Sequence, residues 1–325
     1  MPGEIGSEFW NVPVSDRNNG FFPAHTNWFL SGRCALQAII RDWGGKSIAL
    51  PSWLCESMIR PFLDAGVAVE FYPALEPIRN IRAEGILVMD YFGYARPLDM
   101  DGYQGTVIRD MTHSLFSKEY SDADYYFGSL RKWAGFWTGG YAWTKDGHAL
   151  QPEKGNDMGY TALRRQAMEE KAAYMEAGAG EKVFLNTFGM ADEVLEDCGA
   201  LPADARDIAL AKQLDVTLIR ERRRANAARL LQSLADIAVF PELEELDCPL
   251  FVPVCLPKEK RDALRKTLIS QAVYCPVHWP LSPYHTAGTE TCKLYETELS
   301  LVCDQRYTVE DMERIIRIVQ AFRKE

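Results

Sequence analysis

The chain has 325 residues, of which 47% are hydrophobic and 25% charged, proportions ordinary for a globular protein able to bury a large core. That composition excludes intrinsic disorder, a collagen-like rod and a disulfide miniprotein, and the length corresponds to about two domains of roughly 150 residues, or to one large α/β domain with an appendage. The net charge of −10, from 36 basic and 46 acidic residues, argues against a general nucleic-acid binder, although a local phosphate site needs only a helix end and a few side chains.

Residues 1–24 read as an irregular, Pro- and Asn-punctuated segment that carries acids and no apolar signal-peptide core. From Ser31 the pattern changes. CALQAIIRDWG has helical spacing, with Ser31-Gly32 at the N-cap position and Gly44-Gly45 ending it. SIALP is a strand, LCESMIRPFLDAG a helix, VAVEFYP a strand, GILVMDYFG a third strand, and GTVIRDMTHS a strand with a polar end. ADYYFGSL and GGYAWTK are two more strands around a loop. This order predicts an α/β fold with a mostly parallel central sheet and helices on both faces, whose ligand lies at the carboxyl ends of the strands.

Residues 155–235 are helical and charged, and the RERRR run at 220–224 is read as a solvated face or an acid-contacting segment rather than a nucleic-acid patch. Beyond residue 240, PLFVPVCLP and AVYCPVHWP read as strands around the helix KRDALRKTLISQ, and TVEDMERIIRIVQAFRKE as a terminal helix capped by Thr308. The expected division is an N-terminal segment 1–24, a large domain 25–234 and a small α/β domain 235–325. Eight cysteines stand singly with no C-x-x-C pair, which predicts buried thiols in the cytoplasm and no metal site. No run of about 18 apolar residues is present, so no membrane span is expected.

Three strand-end sites carry candidate chemistry. Ser31-Gly32-Arg33 opens a helix whose free N–H groups suit a phosphate, or is a plain N-cap. Asp110 ends the apolar strand TVIR with His113 three residues on; its carboxylate needs Arg109, Arg131 or a protonated cofactor nitrogen as partner. Lys132, after Ser129, stands beside Trp133, Phe136 and Trp137. It is either an amine shielded into nucleophilicity or a lysine that reaches solvent. Together these supply what pyridoxal phosphate requires: an amine for a Schiff base, an acid for the pyridinium nitrogen, phosphate donors and a flat partner for the ring.

The ordered set SGRCAL at 31–36, LPSWLCESM at 50–58, RDMTHS at 109–114, GSLRKW at 128–133, Gly139-Gly140, CPVHWP and DQRYTVEDMERI resembles the fold-type I pyridoxal-phosphate enzymes, most closely the DegT/DnrJ/StrS sugar aminotransferases. The resemblance runs from about Phe29 to the C-terminus. It implies that Lys132 holds the cofactor and shuttles a proton, that Asp110 pairs with the pyridinium nitrogen, and that His113 contacts the ring hydroxyl where the family often has Gln. Ser31, Gly32, Arg33 and Ser129 would bind the phosphate. Trp53 would stack on the ring, or be a core tryptophan. His278 and Trp279 fall near the expected active-site mouth, and Arg306 is a weaker candidate for clamping a substrate carboxylate, against an ordinary salt bridge. The chain is shorter than typical sugar aminotransferases, and its Ser-x-x-Lys spacing is tighter, as in amino-acid aminotransferases.

The resemblance thus implies a homodimeric aminotransferase with active sites at the interface. It would move an amino group from glutamate or glutamine to a keto or aldehyde acceptor, plausibly a nucleotide-linked sugar, with no nucleic-acid or membrane partner. Two other readings stand beside it: a pyridoxal-phosphate aminotransferase or lyase for a small amino acid, and a non-catalytic sensor or scaffold that keeps the fold.

Overall fold

Apolar runs that read as uninterrupted blocks are those buried on both faces, and Gly85–Met89 is buried at every position. The computed structural model describes residues 3–94, 99–100, 102–117, 123–285 and 292–324. The chain begins with β1 (Ile5–Gly6), β2 (Asn27–Phe29), α1 (Gly32–Trp43), β3 (Ser47–Pro51), α2 (Glu56–Asp64), β4 (Ala68–Tyr72), β5 (Gly85–Met89) and β6 (Thr106–Asp110). There follow β7 (Tyr125–Ser129), β8 (Gly140–Thr144), α3 (Tyr160–Ala177), α4 (Phe184–Glu196), α5 (Ala205–Gln213) and α6 (Val216–Leu234). The last elements are β9 (Phe251–Cys255), α7 (Lys258–Ser270), β10 (Val273–Tyr274), α8 (Cys292–Thr297), β11 (Glu298–Val302) and α9 (Val309–Lys324). The fold class is α/β with a mostly parallel central sheet.

Two compact units divide the chain. The first comprises Met1–Ser7, Gly45–Asp122 and Val216–Glu325. Within it β4, β3, β5 and β6 lie side by side in that order, all parallel. Met89 at the end of β5 is level with Asp110 at the end of β6. One residue past β5, Asp90 meets the Arg109 guanidinium at 2.9 Å, both side chains 2% exposed. A second ladder pairs β9 with β11 antiparallel, and β1 with β10 forms a short parallel pair. α9 packs on α6 and α7 with Met312, Ile315, Ile316 and Val319 buried, the spacing of one helical face.

The second unit comprises Glu8–Gly44 and Ala123–Asp215. Here β7 pairs antiparallel with β8, and β8 antiparallel with β2. α1 lies against these strands and buries Cys34, Ala35, Leu36, Ala38, Ile39 and Ile40. α3 and α4 pack together around Ala167, Met168, Phe184 and Phe188.

Three local expectations change. The AVYCPVHWP segment forms a strand only at Val273–Tyr274, because Pro276 and Pro280 lack the N–H that a ladder needs. The strand beside β9 is β11, whose five residues are all buried and so give no alternation to read. The RERRR run is a solvated face only at Glu221 and Arg222, which are exposed, and it feels the acids Asp304 and Glu310 through Arg223 and Arg222, while its other arginines bond inward to carbonyls. Arg223 is buried and donates to the Leu250 carbonyl at 2.9 Å and to Gln305 Oε1 at 2.8 Å, Arg220 donates to the Phe116 and Ser117 carbonyls, and Arg224 to the Glu244 and Asp247 carbonyls. At the terminal helix the cap works in reverse: Asp311 reaches back to accept from the Thr308 N–H at 2.9 Å.

Replacing Asp90 by Ala removes the carboxylate that faces a buried guanidinium. The expected cost is about 3–5 kcal/mol of stability, read from chemical denaturation; a loss below about 1 kcal/mol would show that the pair is solvated.

Candidate active site

In the second unit the α1 N-terminus, the end of β7 and the turn after it come together. Ser31 is buried at the N-cap, in extended backbone, and its Oγ accepts from the Cys34 N–H at 3.2 Å. The plain N-cap reading therefore accounts for its side chain, and what is left for an anion is the backbone of the first turn. The approach is close. A Cβ on Gly32 would stand 3.2 Å from Ser129 Cβ, and one on Gly140 would stand 2.0 Å from the Ser31 carbonyl oxygen. At Gly140 only glycine allows this approach, and at Gly32 a side chain would press on Ser129. Arg33 directs its guanidinium to Glu196 at 2.8 Å, which leaves its main chain as the candidate phosphate contact.

Lys132 ends a single 3-10 turn, Leu130–Lys132, that follows Ser129 directly. The loop is closed by the Leu130 N–H donating to the Gly139 carbonyl at 2.8 Å. Thr138 is tied down as well, its N–H and hydroxyl both donating to Asp207 Oδ2 at 2.7 and 2.8 Å. Lys132 itself is exposed. The aromatic shield expected from its sequence neighbours does not form among the described residues. Trp133 and Phe136 are fully buried, and Trp137 has the Arg206 guanidinium 3.8 Å from its ring centre. Adjacency in sequence placed those rings beside the lysine; the turn sends two of them into the core instead.

In the first unit, Asp110 is 3% exposed at the carboxyl end of β6, and its Oδ1 accepts from the Thr112 N–H at 2.8 Å. Of the cations proposed as its partners, Arg109 is engaged by Asp90 and Arg131 by Asp192 at 3.1 Å. His113 is buried and stacks on Trp279, ring centres 5.5 Å apart and planes 22° apart. Phe92 touches both rings and holds a left-handed backbone, φ 54°, sparsely populated for a bulky residue and a form of strain that clusters at functional sites. His278 completes the group, 5.8 Å from His113.

Two candidates lie elsewhere in function. Trp53 is fully buried, stacked on Tyr91 at 4.9 Å, with its Nε1 donating to the His278 carbonyl at 2.9 Å. That is the core-tryptophan reading, and its ring has no open face. Arg306 already holds a carboxylate bidentately, Nε and Nη2 donating to Asp304 at 2.9 and 2.8 Å. The ordinary salt bridge accounts for it.

Residue-by-residue reading missed Glu298 and Ser300. Glu298 is fully buried on β11, where Oε2 accepts from the His278 N–H at 2.7 Å and Oε1 is hydrogen-bonded with the Ser300 hydroxyl. Ser300 Oγ also lies 2.8 Å from His278 Nδ1. The only signal was an acid and a serine two residues apart among the apolar residues of ELSLV.

No family model and no curated protein sequence matches the chain. Solved structures do. PseC from Helicobacter pylori, an aminotransferase involved in the biosynthesis of pseudoaminic acid, superposes with a TM-score of 0.68 at 16% identity, over 98% of this chain and 100% of that one. This is a fold-type I aminotransferase fold. The aminotransferase TlmJ from Streptoalloteichus hindustanus matches with TM-score 0.65 at 17% identity, over 96% and 92% of the two chains. A DegT DnrJ EryC1 StrS aminotransferase from Brucella abortus matches with 0.61 at 16%, over 91% and 85%. NtdA from Bacillus subtilis, solved with bound cofactor PMP, matches with 0.65 at 15%, over 92% and 73%. The fold expected from the ordered motifs is the fold found. No described helix is long and apolar enough to cross a membrane.

Two measurements check this geometry. Ser31→Ala should cost about 1 kcal/mol of stability through the lost cap, read by thermal melting. Burial raises the Glu298 carboxyl from its ordinary 4.5 to about 8. The fold therefore holds a proton that the unfolded chain releases, and stability falls as pH rises from about 4.5 to about 8. In Glu298→Gln that decline should flatten, as urea denaturation across the window would reveal.

Proposed function

We propose that the protein is a pyridoxal-phosphate-dependent aminotransferase. It would take an amino group from an amino-acid donor, glutamate or glutamine, and pass it to a keto or aldehyde acceptor, plausibly on a nucleotide-linked sugar. The observation that carries this reading is the glycine-lined junction of the α1 N-terminus with the β7 end, from which the turn bearing Lys132 departs. The likeness to solved aminotransferases, PseC among them, supports it.

Each unit carries part of what such a cofactor would need. The first-turn N–H groups at Gly32 and Arg33 lie at the positive end of the helix dipole and suit a dianionic phosphate, with the Ser129 hydroxyl beside them. Asp110 supplies a buried carboxylate against a ring cation, which a buried charge requires. His113 supplies an imidazole beside it. Lys132 would supply the primary amine that holds the cofactor, and would then be placed to carry a proton to and from the substrate carbon. The bound cofactor contributes an electron sink that makes the substrate Cα–H acidic. His278 and Trp279 are the substrate-side candidates, whereas Trp53 and Arg306 are left out because the core and Asp304 already use them.

In a homodimer a partner subunit would cover Lys132, which is exposed in the single chain. Met158, Val183, Leu185 and Met190 of the same unit are exposed apolar residues that an interface would also bury. The seven described cysteines are all free thiols, which supports a cytoplasmic site.

The decisive experiment is borohydride reduction of the cofactor-loaded protein followed by peptide mapping, with glutamate-driven conversion to the amine form as the functional readout. Lys132 should carry the reduced adduct, and Lys132→Ala should lose turnover while keeping its melting profile. An adduct on another lysine, or full turnover in Lys132→Ala, would overturn the assignment. Asp110→Ala should slow the donor half-reaction severely; an unchanged rate would mean that another acid serves the ring.

A further inference from the structure

We propose that Glu298, Ser300 and His278 form a buried proton relay that loads the His278 ring for proton delivery beside His113. The proposal rests on the transaminase reading only for the destination of the proton.

The geometry is complete. One carboxyl group grips His278 twice: Oε2 accepts the His278 main-chain N–H, and Oε1 reaches the imidazole through Ser300. Glu298 and Ser300 stand two residues apart on β11 and so share a face. The ring they address is packed against Phe92, Phe251, Trp279 and His113, with centres 5.1–5.8 Å away. This cluster includes the residues just beyond the carboxyl ends of β5 and β6. An acid on a buried strand is costly unless it is neutral or fully bonded. A glutamate that served packing alone would be better replaced by an apolar residue of its size.

A hydroxyl both donates and accepts, so the chain has two proton arrangements. In the first, Glu298 Oε1 carries a proton and donates to Ser300 Oγ, Ser300 donates to His278 Nδ1, and Nε2 carries the ring proton. In the second, Glu298 is a carboxylate, Ser300 donates to it, Nδ1–H donates to Ser300, and Nε2 is bare. Passing from the first to the second transfers one proton. Nε2–H gives its proton to an oxygen of the bound acceptor, Nδ1 takes the Ser300 proton, and Ser300 takes the Glu298 proton. The carboxylate is the only charge left behind, and the reverse path reloads it.

Other titratable and charged groups face the relay. Cys255 stands opposite Glu298 on β9, and the Arg261 guanidinium of α7 donates to the Glu298 carbonyl at 2.8 Å. Cys275 has its thiol pushed up to about 12 by burial and stays neutral. His113 faces the ring. The elevated Glu298 carboxyl means that the store is loaded at neutral pH.

The test is ring-nitrogen NMR on 15N-histidine-labelled full-length protein, with His278→Phe to assign the signals. In the wild type the His278 proton should move from Nε2 to Nδ1 with a midpoint near pH 8, the pH at which Glu298 ionises. Both Glu298→Gln and Ser300→Ala should abolish that movement. Glu298→Gln should also lower turnover with a keto acceptor by about 10²-fold, in kcat rather than KM. The relay is overturned if both folded variants keep the wild-type tautomer course, or if the wild type shows no tautomer change. Glutamate-driven conversion to the amine form reports the transaminase reading separately. Its absence, with the tautomer switch intact, sinks that reading and leaves the relay standing.

Discussion

Two charges taken out of water at 2.9 Å, Asp90 and Arg109, set the terms for the ends of β5 and β6. Either charge left unpaired there would be costly, and strands that end level with one another let the pair form. Successive side chains on a strand point to opposite faces. Holding Arg109 on one face therefore commits Asp110 to the other, where the Thr112 N–H fixes one of its oxygens. The left-handed Phe92 and the His113, His278 and Trp279 rings gather around the same strand ends. The buried carboxylate of Asp110 is thus left out of a neighbouring pair that satisfies itself.

The other half of the candidate machinery is steric where the first is electrostatic. Gly140 admits the Ser31 carbonyl to within a distance that no side chain would permit, Gly32 keeps the contact with Ser129 close, and the helix start lands beside the lysine turn. A dipole at a helix N-terminus acts over about one turn, so this closeness decides whether the first-turn amides and Ser129 can serve one anion.

Much of this was legible in the sequence, for identifiable reasons. The N-cap at Ser31, the buried strands and the terminal helix each carry local signals in residue type and spacing. Lys132, Asp110 and their order were visible because they follow apolar runs. What was hidden is direction. Trp133 and Phe136 are neighbours of Lys132 in the chain yet lie in the core, and Trp53 belongs to a stack with Tyr91 that only the fold creates. Arg306 looked available because the sequence cannot say that Asp304, two residues before it, turns back to meet it. Glu298 was hidden by the uniform burial of its strand, since a run without alternation gives no register in which an acid stands out.

The arginines of α6 have a different kind of consequence. Arg220, Arg223 and Arg224 bond mostly to main-chain carbonyls at Phe116, Ser117, Glu244, Asp247, Pro249 and Leu250. A carbonyl oxygen is the same whatever side chain it accompanies. The segments that α6 fastens are therefore free to change their residues so long as they keep their path, while α6 is not free to change its own. The burden of specificity falls on one helix, and mutational scanning should find tolerance in the loops and intolerance in the arginines that hold them.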